Sequence, residues 1–277
     1  MTINVINGGR HGQAGYYSLA DLPQRQDISA STISSGWDEF DQIFRLYPGQ
    51  FTVVTGRAGS GKSTFLFNLV CNYARMHDLR TFLHCPENEH YVRRKMRGIW
   101  GEHPNWDAFT SGQCFIQSSS PECYDSEPKT LQWVLNTAVV AVDRDGVDLL
   151  LIDPWNELER AKPRDWSMTD YIADSLRQMK QFCRAMNVSV ILVAHPTKEG
   201  LKDNKIPTLV DIEGSLAWYN KCDNGIIVHR DKSSTSTQVI SAKVRESPDA
   251  GQLGECWFTV DANTGVFTPQ YGAASTL

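Results

Sequence analysis

The 277-residue sequence contains no apolar run near the ~18–20 residues that a membrane-crossing helix needs. Its most apolar stretches, such as Val147–Ile152 and Val188–Ala194, have the length of buried strands. Residues 1–30 show no basic head followed by an apolar stretch, so no secretory signal is expected. Positive charge is not in excess either: Lys+Arg is 27 against Asp+Glu 32, a net charge of −5. No whole-molecule basic field draws the chain to nucleic acid, so phosphate contacts must come from a local cluster. The seven cysteines, at positions 71, 85, 114, 123, 183, 222 and 256, include no CxxC pair. That argues against a zinc site and for buried, reduced thiols. With 41% hydrophobic and 21% charged residues the composition is that of a folded chain, neither disordered nor low-complexity. A prior of ~150 residues per domain allows one large domain or two small ones.

What the sequence does have is alternation. Phe51–Thr55, Thr81–Cys85, Cys114–Gln117, Asp148–Asp153 and Val188–Ala194 read as strands. Between them Lys62–Met76, a stretch ending at Arg97, Lys129–Val142 and Met168–Met186 read as helices. In the last of these, Ile172, Leu176, Met179, Phe182 and Cys183 recur at helical spacing. Such alternation predicts an α/β fold with a mostly parallel sheet flanked by helices on both faces. The tail changes character. Gly225–His229, Gln238–Val244, Cys256–Val260 and Val266–Thr268 read as strands joined by turns, which predicts a C-terminal antiparallel extension. Residues 1–32 are polar and turn-rich, with one helical turn at Tyr16–Leu22, and read as an arm or linker. Residues 33–270 read as the domain and 271–277 as a tail.

One motif is specific. Gly56-Arg57-Ala58-Gly59-Ser60-Gly61-Lys62-Ser63 matches GxxxxGK(S/T) in full, between a strand and a helix. Its glycines let backbone N–H groups face a polyphosphate, and the helix N-terminus that begins before Thr64 adds positive dipole. Lys62 is placed to neutralise the β- and γ-phosphates of ATP, or of another NTP or dNTP, and Ser63 to ligate Mg²⁺. The strand Asp148–Asp153 ends in an acid, at the sheet edge where ligands bind in α/β folds. Asp153 is thus the expected second metal residue. Hydrolysis also needs a carboxylate to polarise water. Pro154 follows Asp153, so that carboxylate must come from elsewhere. Glu87, at the tip of the strand Thr81–Cys85, is preferred over Glu157; Glu89 is the neighbouring decoy.

These residues resemble the motor domain of the hexameric replicative helicases of the RecA-like class: DnaB, the phage primase-helicases and Twinkle. The resemblance spans roughly residues 33–268. Its lead-in is Ile33-Ser-Ser-Gly-Trp-Asp-Glu-Phe-Asp-Gln-Ile, then Tyr47-Pro-Gly-Gln-Phe-Thr-Val-Val-Thr. The resemblance implies a RecA-like P-loop ATPase core with Glu87 as catalytic base. It implies His195, closing Val190-Ile-Leu-Val-Ala-His195, as a γ-phosphate sensor. It implies a DNA-tracking loop over 196–207, with Lys198, Lys202 and Lys205 as phosphate contacts. Asp211-Ile-Glu-Gly-Ser215 resembles a motif on the DNA side of the ring, which adds Gly214 and Ser215. Arg230 matches a residue that packs on the nucleotide base, while Val260 stands where the family has an aromatic partner. Ser241-Ala-Lys243-Val-Arg245 resembles a K-x-R pair that reaches the neighbouring subunit's γ-phosphate, with Arg245 as the finger.

The implied function is an ATP-dependent replicative helicase motor, moving 5′ to 3′ on single-stranded DNA as a homo-hexameric or similar ring. Forked DNA is its implied substrate; primase, polymerase or single-strand-binding protein are implied partners, and a membrane is not. The implied location is the cytoplasm of a bacterial or phage-infected cell, ahead of the mitochondrial matrix. The primase module, zinc-ribbon cysteines and long N-terminal helical domain found among these families are not seen. The rival reading is a RecA/KaiC-like DNA-dependent ATPase for recombination, annealing or loading, without unwinding.

Overall fold

The computed structural model describes residues 28–86, 89–118, 128–197, 199–200, 205–214, 216–231 and 234–270. The helices are α1 (Ile28–Ser31), α2 (Asp38–Ile43), α3 (Lys62–His77), α4 (Glu89–Trp100), α5 (Trp106–Gly112), α6 (Leu131–Asp145), α7 (Met168–Met186) and α8 (Leu216–Lys221). The strands are β1 (Phe51–Thr55), β2 (Thr81–His84), β3 (Cys114–Ile116), β4 (Leu149–Ile152), β5 (Ser189–Val193), β6 (Asn224–His229), β7 (Ser236–Val244), β8 (Gly254–Val260) and β9 (Phe267–Pro269).

They form one nine-stranded sheet in the order β3-β2-β4-β5-β1-β6-β7-β8-β9. Strands β3 through β6 are parallel; β7, β8 and β9 run antiparallel. The two halves differ as their sequences require. β1, β4, β5 and β6 are buried at every residue, because helices cover both faces of the parallel half. β8 mixes buried with exposed positions, as a strand with one open face does.

The period of two splits the parallel strands between two cores. Val54, Leu83, Leu149, Leu151, Ile191 and Val193 face α2, α3 and α4. Phe51, Val53, Phe82, Leu150, Ile152, Val190 and Leu192 face α6, α7 and α8. Each fully buried Leu, Ile or Phe contributes roughly 1.5–3 kcal/mol. In α7 the buried residues Ile172, Leu176, Met179, Phe182 and Cys183 are those singled out by spacing. A capping box starts that helix: Ser167 Oγ accepts from Asp170 N–H, and the Asp170 carboxylate bonds back. The Ser167 hydrogen bonds hold the Asp170 carboxyl below the usual range.

Three short helices, α2, α5 and α8, stand where the residues show no sustained period. The helical turn expected at Tyr16–Leu22 lies outside the described residues. Burial raises the thiol pKa of Cys71 and Cys256 to about 12 and of Cys222 to about 11, so these thiols stay protonated and inert at neutral pH. Among the described residues no cluster of three or more His, Cys, Asp or Glu could hold a metal ion, and no helix is long and apolar enough to cross a membrane.

Candidate active site

The carboxyl ends of β4, β5, β1 and β6 lie side by side, and each delivers one expected site residue. The order is set by close backbone contacts. Thr55 Oγ1 donates to Ala194 O at 2.8 Å, and Ala194 N–H to Val54 O at 2.9 Å. After β1 the chain turns at Gly56 with φ +148°, where a Cβ would stand 2.1 Å from Val228 O of β6. Only glycine permits that approach. Gly61, with φ +94°, then caps α3, whose first turn carries Lys62, Ser63 and Thr64. Lys62 is 5% exposed, and its ammonium donates to Gly56 O at 2.9 Å and Arg57 O at 2.8 Å. The cation thus lies inside the loop that would cradle a polyphosphate.

Asp153 follows β4, its backbone N–H donating to His84 O of β2 at 2.9 Å. Burial raises its carboxyl pKa; a hydrogen bond from Ser63 and the cations of Lys62 and Lys95 oppose that rise. Its Oδ2 is buried without a hydrogen-bond partner. An orphaned carboxylate oxygen beside a serine hydroxyl is a donor set that suits Mg²⁺, which prefers oxygen ligands. Lys95, on α4, was not singled out by its sequence position. Its signal is only the basic run Arg93-Arg94-Lys95 beyond the β2 tip.

His195 follows β5, where its backbone N–H donates to Asn156 Oδ1 at 3.0 Å. Burial lowers the imidazole pKa, the Lys62 cation lowers it further, and Glu157 opposes. The ring is therefore neutral at neutral pH. Glu157 sits on the short turn Trp155–Glu157 and is exposed. A depressed pKa means the folded state resists a proton that the unfolded chain accepts. Stability from this group is complete above the unfolded value near ~6.5 and is lost as pH falls through the folded value. His195→Gln should remove that loss. Urea midpoints of the two proteins should diverge between about pH 8 and about pH 5.5, with the wild type falling more. Parallel midpoints would mean that the ring is not buried as described.

Arg230 follows β6 and its guanidinium reaches the phosphate loop, donating to Gly59 O at 2.9 Å. A Cβ on Gly61 would meet Phe267 Cζ at 3.6 Å and Arg230 Nη2 at 3.8 Å. The aromatic edge at the loop is thus Phe267 of β9, which the sequence reading missed. Val260, where an aromatic was sought, is its cross-strand partner. Phe267 packs in a cluster with Phe65 and Phe258, so only its edge turns to the loop.

Lys243 and Arg245 sit at the other end of the sheet. Lys243 pairs with Gly225 and Val244 with Asn224, both at the start of β6, whereas Gly56 abuts Val228 near its end. Four residues of strand separate Asn224 from Val228, ~13 Å. Both side chains turn to the C-terminal carbonyls of α8. Lys243 donates to Tyr219 O and Asn220 O, and Arg245 to Asn220 O at 3.4 Å and Cys222 O at 3.3 Å. Arg245 Nε also pairs with Asp223 at 2.7 Å, which Lys180 shares at 2.7 Å. Arg245 borders a surface cavity of about 560 Å³ with Tyr47, Arg184 and Glu246.

Glu87, Lys198, Lys202, Ser215 and the Glu89 side chain lie outside the described residues. Gly214, with φ +78°, packs where a Cβ would stand 2.8 Å from Ile172 Cδ1. Lys205 is exposed, and its backbone carbonyl accepts from Arg57 at 2.9 Å.

Residues 44–201 match the AAA domain family. The chain is similar to a Twinkle homolog protein, chloroplastic/mitochondrial, of Arabidopsis thaliana, 33% identical over 261 residues, 85% of this chain and 36% of that one. It is similar to the replicative DNA helicase DnaB of Leifsonia xyli subsp. xyli, 23% identical over 247 residues, 84% of this chain and 52% of that one. Among solved structures, an ATPase domain superimposes with a TM-score of 0.69 at 20% identity, covering 86% of this chain and 91% of that one. A DnaB-like replicative helicase described with its interactions with primase gives 0.67 at 19% identity, over 85% of this chain and 61% of that one. The chain thus spans 36% to 52% of the length of these two relatives. The family match covers more than half of the chain, and the superposed structures share its fold: the chain belongs to the AAA domain family.

Proposed function

We propose that this chain is the ATP-dependent motor of a replicative DNA helicase. It would move 5′ to 3′ on single-stranded DNA as a hexameric or similar ring, in the cytoplasm of a bacterial or phage-infected cell. Residues 33–270 would form the motor and 1–32 an arm. One observation carries the reading. The nucleotide loop lies at the carboxyl end of the parallel strands and the Lys243/Arg245 pair at the amino end, fixed to Asp223. A single chain cannot bring the two together. A heterologous contact between copies can, and a ring closes such contacts.

The backbone of Gly56–Ser63 would wrap the phosphates of ATP, or of another NTP or dNTP, with Lys62 between the β- and γ-oxygens. Ser63 and Asp153 would hold Mg²⁺, which supplies charge neutralisation across those oxygens. Neutral His195, beside Lys62, would report the γ-phosphate to the segment that follows it. Arg230 would cover the nucleotide from the β6 side. Glu87 would orient the attacking water. Lys198, Lys202 and Lys205, with Gly214 and Ser215, would face the DNA. The lysines would make its binding fall with salt. Arg245 of the next copy would stabilise the charge of the transition state, with Lys243 beside it.

Glu87→Gln should lower turnover by about tenfold or more while ATP still binds. Near wild-type turnover would remove Glu87 as the base and promote Glu157, whose charge already reaches His195. The decisive test of the whole reading is displacement of a strand from a forked duplex by the assembled protein with MgATP. DNA-stimulated turnover without displacement would favour a RecA/KaiC-like ATPase that does not unwind. Turnover indifferent to DNA would overturn both.

A further inference from the structure

The second residue of the phosphate loop reaches out of the nucleotide site. Arg57 Nη2 donates to Lys205 O at 2.9 Å, across 148 residues of sequence. Lys205 begins the stretch that leads to α8, and that stretch is held firmly at its base. Pro196 and Ile212 form an antiparallel bridge, and Thr197 N–H donates to Asp211 O at 2.8 Å. Asp211 in turn accepts from Thr208 N–H at 2.7 Å and Thr208 Oγ1 at 2.8 Å. A Cβ on Gly200 would stand 2.4 Å from Asp211 Cβ, so the chain is pressed against this base as well. The base is set by local bonds, whereas Lys205 itself is tied to the phosphate loop by Arg57.

Lys62 makes that tie sensitive to phosphate. Its ammonium has three donors. Two of its contacts are Gly56 O and Arg57 O, the carbonyls on either side of the Arg57 peptide. A triphosphate that takes one donor at the β-oxygen and one at the γ-oxygen leaves one for the loop. At least one of the two carbonyls must then be released, and the Arg57 backbone is freed to shift. A guanidinium anchored on that backbone shifts with it.

We propose that Arg57 is a positioning residue that holds the Lys205 carbonyl and releases it when the phosphate loop is filled. It thereby links nucleotide occupancy to the segment 205–212. The link rests on the helicase reading only in what the segment is for, namely contact with DNA. It is a second route, distinct from the one through His195, since it runs from the phosphate loop through the Arg57 guanidinium to Lys205.

Trypsin tests the hold directly, because the carbonyl that Arg57 grips belongs to the Lys205–Ile206 bond that trypsin cuts. The full chain would be digested briefly with and without a non-hydrolysable MgATP analogue, and the cut after Lys205 followed by mass. In the wild type, the analogue should speed this cut by about fivefold, the scale of one modest hydrogen bond. In Arg57→Ala the cut should be fast with or without analogue, and Arg57→Lys should restore part of the difference. The ratio of DNA-stimulated to DNA-free turnover should fall in Arg57→Ala. A defect in loop folding alone would lower both rates together. If Arg57→Ala is cut at the wild-type rate and keeps its stimulation ratio, the proposal is wrong. If the wild type is cut fast regardless of analogue, it is equally wrong. If Arg57→Ala does not fold, the analogue response of the wild type and of Arg57→Lys decides alone. Absence of DNA stimulation in the wild type would overturn the helicase reading, while the digestion pattern still judges Arg57.

Discussion

Replacing Lys62 with alanine should lower ATP turnover by ~10²–10³-fold, the scale of removing one preorganised charge from a reacting centre. The size of the effect follows from where the charge lies. Lys62 is 5% exposed, so its cation acts in a medium that screens poorly. It is already positioned by two loop carbonyls and needs little reorganisation to meet a phosphate. The fold should survive. α3 is held by Phe65, Leu66, Phe67, Leu69 and Val70, and alanine is a better helix former than lysine. A thermal melt within a few degrees of the wild type is the control. Lys62→Arg should be nearly as inactive, because a planar fork does not replace a compact point charge beneath Gly56. Turnover within about tenfold of the wild type would mean another cation serves the γ-phosphate, with Lys95 and Arg57 the first suspects.

How much of this site could be read from the sequence depends on the distance over which it is built. The phosphate loop is local: a β-branched strand, a glycine turn and a helix start within a dozen residues. β1 and α7 have the residue ranges that composition and period indicated, since each is long enough to show its period. α2 and α8 have six residues each, less than two turns, and no period can declare itself there. Trp37, which starts α2, makes no side-chain cap, so the usual start signal is absent as well. The contacts that complete the site are the least legible. Phe267 reaches Gly61 only because β9 folds back through β8 and β7 onto β6. The alternation of Lys243 and Arg245 was visible, and the two do meet at Asn220 O. Which end of the sheet they occupy was not visible, because it depends on the reversal between β6 and β7. Arg57 stands at a position that GxxxxGK(S/T) leaves unspecified, and nothing in its neighbours announces Lys205.

That reversal yields the most discriminating experiment. Arg245→Ala should abolish turnover by ~10³-fold or more while leaving nucleotide affinity almost unchanged, as an arginine finger acts on the transition state. In its own chain Arg245 touches Asp223, Cys222 and Asn220, more than ~13 Å of strand from the phosphate loop. Its loss should leave Asp223 paired with Lys180, so the local structure keeps one of its two ion pairs. Arg245→Ala and Lys62→Ala should therefore be dead for different reasons, in different halves of one composite site. Mixing them, with exchange of subunits, would create junctions with an intact loop from one variant and an intact arginine from the other. Random mixing at equal amounts makes such junctions about a quarter of the total in a closed ring. Turnover should then recover to that order, from two preparations that are each inactive. If the arginine served its own chain, every subunit in the mixture would lack one half and no recovery would occur. If nucleotide affinity collapsed with turnover in Arg245→Ala, the residue would hold the fold or the ligand, and the ring argument would lose its support.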